Sequence, residues 1–374
     1  MTLVEIHDKK TASQFLSFPR KLYKGDPNYI APLENDIEAI FDPNRNPYFR
    51  HGECTRWILL DDKGKVIGRI AAFINNKKAN KYEQPTGGIG FFECINDQKA
   101  AHLLFDTGKN WLRERGMKAM DGPINFGEND KFWGLLIDGF KPPSLGMSYN
   151  PPYYKELFES YGFEKGYDQL TNFINVKADM TERMVKISDW VMKKPGYQFK
   201  PFSKNDFGKF AQDFCEIYND AWRDFEGHST LDIATVKESF RQIKPIMEER
   251  IIWFAYYEEE PIAFLVCIPD VNQWLKHVDG RLNFLGKLKF LWYRRTVTVE
   301  RLRVIVMGCK RKFQNKGIES ALIRCLREEV IPKNTYTGVE LSWVGDFNTK
   351  MMAIHEAAGA KKDKVHRTYR YLFT

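Results

Sequence analysis

An internal repeat constrains this chain more than any other feature. Residues 57–60 and 66–73 are apolar runs, opening on Trp57 and flanking a charged, glycine-bearing turn at 61–65. That is the pattern of a β-hairpin. Residues 253–257, 258–261 and 262–266 repeat the shape, and Trp253 follows Trp57 by 196 positions. Two helical segments, 157–163 and 354–360, each close on a glycine, Gly162 and Gly359, and these are 197 positions apart. A glycine there suits the left-handed cap that ends many helices. Nearly equal offsets predict a duplicated domain. A length of 374 residues agrees, since it exceeds what one core comfortably supports.

Each half reads as strands alternating with helices. In the second, 303–309 is a short apolar strand, followed by a helix with Ile318, Ala321, Leu322, Cys325 and Leu326 on one face. A strand at 339–344, a helix at 348–358 and a strand at 365–373 complete it. In the first half the corresponding strand lies near 90–94, and its helix runs over 97–115 until Gly116 stops it. Residues 178–200 read as a connection. The predicted class is α/β (an α+β mixed sheet), with a central mixed sheet flanked by helices in each copy. The boundaries expected are 1–177 and 201–374. Residues 121–152, rich in glycine, proline and aromatics, stand outside the repeat, as do 269–301, which mix aromatics with bases.

Hydrophobic residues make up 43% of the chain, so a core can form and disorder is not indicated. No apolar stretch approaches the roughly 20 residues of a membrane helix. The N-terminus lacks the basic-then-apolar order of a signal peptide. Six cysteines are scattered without a C-x-x-C pair, which suits reduced thiols, a cytoplasmic location and no metal site. Residues 1–180 hold 24 basic and 24 acidic side chains, so the net charge of +8 lies entirely beyond them. Within 276–316 twelve bases face only Asp279 and Glu300. Such an excess marks an anion-binding region, be it for a phosphate ligand, a nucleic acid or a membrane surface.

The most specific segment is 307–322. Strand residues Met307, Gly308 and Cys309 lead into a basic turn, Lys310 to Lys316, then Gly317 and an amphipathic helix. Unpaired amides at a helix N-terminus and the helix dipole favour a diphosphate. Lys310, Arg311, Lys312 and Lys316 would add attraction, and Gly317 lets the backbone come close to a ligand.

This segment resembles the acyl-CoA-binding motif of the GNAT (acyl-CoA N-acyltransferase) superfamily, Q/R-x-x-G-x-G/A. Gln314, Asn315, Lys316, Gly317 and Ile318 match it, whereas Glu319 stands where the family has Gly or Ala. Asn348, His355 and the Gly359-Ala360 pair keep the register of the family's Asn, Tyr and Gly-Phe. The resemblance implies two tandem GNAT-like domains with acetyl-CoA or another acyl-CoA as co-substrate and an amine as acceptor. It assigns Met307, Gly308 and Cys309 to the pantetheine arm, and Lys312 and residues 314–318, with Asn348, to the cofactor. His355 would be the general acid, and Glu340 and Asp346 the nearest candidate bases. In the N-terminal copy Glu93 and Asp97 have the wrong sign for a diphosphate, and Phe158 stands where a proton donor would. Two other readings stay open: a GNAT-like binding module without turnover, and a nucleic-acid or membrane-surface binder working through 276–316.

Overall fold

The structure, a computed structural model, describes residues 1–81, 83–128, 130–223 and 230–373. The chain begins with β1 (Thr2–Glu5), α1 (Lys9–Leu22), α2 (Glu34–Phe41), β2 (Gly52–Leu60), β3 (Val66–Asn75), α3 (Asn76–Ala79) and β4 (Thr86–Cys94). It continues with α4 (Gln98–Glu114), β5 (Ala119–Gly122), β6 (Leu135–Asp138), α5 (Tyr154–Tyr161) and β7 (Glu164–Asn175). Next come α6 (Glu182–Met192), β8 (Tyr197–Pro201), α7 (Phe207–Ala221), α8 (Ile233–Ile243), β9 (Ile252–Tyr257) and β10 (Glu260–Pro269). After α9 (Asn272–Leu275) and α10 (Phe284–Thr296) follow β11 (Arg301–Cys309), α11 (Ile318–Val330), β12 (Gly338–Glu340), β13 (Val344–Gly345), α12 (Thr349–Ala357) and β14 (Lys361–Leu372).

Two compact units result, and neither is a continuous piece of chain. One comprises Met1–Leu170, Asn272–Thr296 and Lys364–Thr374; the other comprises Thr171–Val271 and Val297–Asp363. The boundaries expected at 177 and 201 divide the chain linearly, whereas β7 and β14 each contribute residues to both units.

The first unit runs β1-β2-β3-β4-β5-β14. Its first four strands are antiparallel in turn, β4 and β5 are parallel, and β14 closes antiparallel on β5. The second unit repeats the scheme as β8-β9-β10-β11-β12, antiparallel up to β11, with β11 and β12 parallel. There the end of β7 closes antiparallel on β12, Asn175 opposite Gly338. Both expected hairpins form, with Leu60 opposite Val66 and Tyr257 opposite Glu260.

Helix α4 buries Ala100, Ala101, Leu104, Phe105, Gly108 and Leu112 in the core of the first unit. Helix α11 does the same in the second with Ile318, Ala321, Leu322, Cys325, Leu326 and Val330. Three- and four-residue spacing puts each set on one helical face. Gly162 caps α5 in the left-handed region at φ 101°, as its place in the repeat required, and Gly359 follows α12 at φ 79°. The expected strand at 339–344 is broken. β12 ends at Glu340, the Leu341 amide turns to the Asn172 carbonyl, and extended pairing resumes only at Val344. Among the described residues no helix is long and apolar enough to cross a membrane, and no cluster of metal-ligating side chains is found.

Candidate active site

In the second unit β11 and β12 pair only at Arg301, Leu302 and Arg303, opposite Gly338, Val339 and Glu340. Beyond Arg303 and Glu340 the parallel pair parts, and β11 runs on to Cys309 held by β10 alone. The Lys310 amide bonds to the Ile262 carbonyl on β10 at 2.8 Å. By the alternation of an extended strand, the main-chain groups of Met307 and Cys309 therefore point away from β10, toward the opened side. Ile305 is exposed and Met307 half-buried, so this edge is reachable from solvent. Gly308 faces α7 instead, where the Trp222 ring leaves no room for a Cβ, at 2.6 Å.

The opened edge ends at the N-terminus of α11. Asn315 and Gly317 are both left-handed, at φ 60° and 82°, and no side chain caps the helix. No N-cap side chain serves its first-turn amides, although the Glu319 carboxyl in that turn accepts its own backbone N–H. Gln314 donates its Nε2–H to the Cys309 carbonyl at 3.0 Å and fixes the shape of the turn. The closeness that Gly317 permits is to a helix: a Cβ there would lie 2.2 Å from Ile187 of α6. Gln314, Asn315 and Lys316 stay exposed on the other side.

The basic turn is less cationic than its composition. Lys310 is buried and ion-paired to Glu216 at 2.5 Å and Glu260 at 2.8 Å, so its charge is spent internally. Lys312 and Lys316 lie over the Phe313 ring with exposed ammonium groups. Asp220 accepts the Arg311 amide at 2.8 Å. Burial pushes the Glu319 carboxyl above the usual range. Burial and then the Glu319 charge raise the Cys309 thiol.

His355 is buried on α12 and receives a hydrogen bond at Nδ1 from the Asn172 side chain at 2.9 Å. Burial lowers its pKa to about 4, so the ring is neutral at physiological pH and carries its proton on Nε2. A general acid acting as imidazolium is not available there; a neutral N–H donor is. Asn348 caps α12, accepting the Met351 amide at 3.1 Å. Glu340 is fully buried at the point where the strands part, 4.0 Å from Arg301, which also binds the buried Asp270 at 2.5 Å. Asp346 is exposed on the turn between β13 and α12. The sequence reading missed Asn172, Trp222, Ile187 and the Asp270–Arg301 pair. Asn172, Trp222, Ile187 and Asp270 lie far from the motif in sequence, and only the sheet and helix packing bring them to it, Asp270 through Arg301 on β11.

The first unit has filled the same position. Strands β4 and β5 part after Gly88 and Asp121, but the Ile124 amide bonds back to the Ile89 carbonyl at 2.9 Å. A Cβ on Gly90 would lie 2.0 Å from the Ile124 carbonyl oxygen, so the chain itself occupies the opening. Cys94 ends β4 with its N–H donated to Tyr154 and its carbonyl taken by Tyr153. Glu93 accepts from Tyr23, Tyr154 and Arg69. Asp97 caps α4 at the Ala100 amide, placing a carboxylate at the N-cap position that Gly317 takes in α11.

A sheet whose fourth and fifth strands part beside a helix N-terminus without a side-chain cap, on a scaffold present twice, has the fold of a tandem GNAT protein. The solved structures it is similar to include a tandem GNAT protein from the clavulanic acid biosynthesis pathway, with TM-score 0.57, 11% identity and coverage of 99% of this chain and 98% of that one. A GCN5-related N-acetyltransferase from Sphaerobacter thermophilus gives TM-score 0.55, 9% identity and coverage of 99% and 95%. Identities this low speak to the fold alone. No family model matches the chain. In sequence it is 28% identical over 378 residues to the bacterial ceramide synthase of Caulobacter vibrioides, covering 99% of this chain and 97% of that protein. It is 29% identical over 372 residues to protein YghO of Escherichia coli K12, covering 97% and 93%.

Proposed function

We propose that the protein is an acyl-CoA-dependent N-acyltransferase whose acceptor is the amino group of a long-chain, sphingoid-type amino alcohol. One observation carries the acyl-CoA part: β11 leaves β12 at Arg303 and presents an open main-chain edge that ends at the uncapped α11. The acceptor class rests on full-length similarity to a protein named as a ceramide synthase, because a ceramide is the amide of such a base.

In this reading the amides of residues 315–318 receive the diphosphate, helped by the exposed Lys312 and Lys316. The main chain of Met307 and Cys309 pairs with the pantetheine arm, and Gly308 lets that strand lie flat against Trp222. Asn348 supports the arm from the start of α12. The thioester supplies an acyl group already activated toward amines. A Met307 or Cys309 N–H donates to the carbonyl oxygen as negative charge develops on it. His355, neutral, offers its Nε2–H to the departing sulfur. Glu340 accepts the proton of the attacking amine through water, with the exposed Asp346 as the second candidate base.

The test is incubation of the purified protein with acyl-CoAs of increasing length and a sphingoid base. Mass spectrometry would read the amide, and thiol titration the free CoA. Equal amounts of both products support the reading; folded protein that forms neither product with any donor removes it.

A further inference from the structure

Helix α10 holds five large apolar side chains in water. Phe284 is 76% exposed, Leu285 66%, Leu288 50%, Leu291 48% and Trp292 66%. At about 100° per residue these five fall in one arc of about 120°. The opposite side attaches the helix to its own unit. Phe290 meets Trp274 edge-on at 5.9 Å, Tyr293 stacks on His277 at 3.9 Å, and Gly286 is buried against the Arg281 carbonyl. The stripe is therefore displayed by a helix anchored through its inner face. Lys287 and Lys289 border the stripe on either side and Arg295 lies at its C-terminal end, all three exposed. Residues 280–299 contain no acid.

We infer that α10 docks this unit on the surface of an anionic phospholipid bilayer, the apolar stripe at the acyl boundary and the flanking bases among the headgroups. Thirteen residues span about 20 Å, too short to cross a bilayer and suited to lying in its plane. Charge complementarity selects this occupant. A second copy paired through the same face would set lysines against lysines. RNA is disfavoured because leucines, which dominate the stripe with Leu285, Leu288 and Leu291, offer no ring to stack on bases. The inference does not depend on the acyl-transfer reading, and its test reads binding only.

The experiment is co-sedimentation of the full-length protein with vesicles of phosphatidylcholine alone or mixed with phosphatidylglycerol, at low and high salt. The expected result is binding to the anionic vesicles that weakens with salt. Leu285→Ser/Leu288→Ser/Trp292→Ser should abolish it. Lys287→Gln/Lys289→Gln/Arg295→Gln should weaken it by roughly a hundredfold. Thermal unfolding checks that both variants fold. Brominated lipid should quench wild-type fluorescence more than that of Trp292→Phe. Wild-type protein that stays in the supernatant at low salt overturns the proposal. So does a dimer, or an RNA complex, lost in the leucine variant without any vesicle binding.

Discussion

Asn172, on the strand that closes the second unit, donates its side-chain amide to Nδ1 of the buried His355 at 2.9 Å. The pair joins β7 to α12 and settles which nitrogen of His355 carries the proton. Burial lowers the ring's pKa to about 4. An unfolded histidine titrates near 6.5, so between these values the unfolded state binds more protons and stability rises with pH. His355 thus contributes stability that is complete above about pH 6.5 and lost as pH falls toward 4, by at most about 3 kcal/mol. Urea unfolding of wild type and His355→Gln across that range should show the slope flattened in the variant. Parallel slopes would mean another group governs the acid limb.

Glu319 occupies the first turn of α11, where a carboxylate suits the dipole but repels a diphosphate. Burial already raises its pKa, which favours the neutral form. Glu319→Gln should tighten CoA binding by roughly tenfold near neutral pH and much less in acid, where the carboxyl is protonated anyway. Calorimetry at two pH values reads this directly. Weaker binding in the variant would show that the carboxylate orders the turn rather than opposing the ligand.

Gly317 is left-handed, and a Cβ there would collide with Ile187. Gly317→Ala should cost about 2–3 kcal/mol, part from backbone strain and part from overpacking. Adding Ile187→Ala should recover the overpacking share and leave the strain. A double-mutant cycle by chemical denaturation separates them, and additive costs would rule the contact out.

Asp270 is fully buried and binds Arg301 below the parting of the strands. Asp270→Ala should destabilise by about 3 kcal/mol, since it removes a carboxylate partner from a largely buried guanidinium. Asp270→Asn should cost less. A loss below about 1 kcal/mol for the alanine variant would mean that Glu340 takes over the pairing.

Much of the scaffold was legible because its signals are local. Hairpins with charged turns, helices with three- and four-residue spacing, and glycine caps at Gly162 and Gly359 depend on neighbours in the chain, and each appears where expected. The strand near 90–94 begins earlier, at Thr86, because Gly87 and Gly88 have no β-propensity and are in the sheet for what packs on them. The strand at 339–344 looked continuous because its apolar alternation continues past Glu340, whereas pairing does not.

Local patterning alone therefore settled the duplicated strand-and-helix order and the turn from Cys309 to Gly317. It could not tell that Lys310 is neutralised by Glu216 and Glu260, that Gly317 answers to Ile187, or that His355 is buried and uncharged. Nor could it tell that β14 closes the first unit and the end of β7 closes the second. Those facts depend on residues distant in sequence meeting in space, and on burial, which sets the cost of charge. The mix of aromatics and bases in α10 is written in its sequence; that five of its large apolar side chains face water emerged only once Trp274 and His277 had claimed the other side.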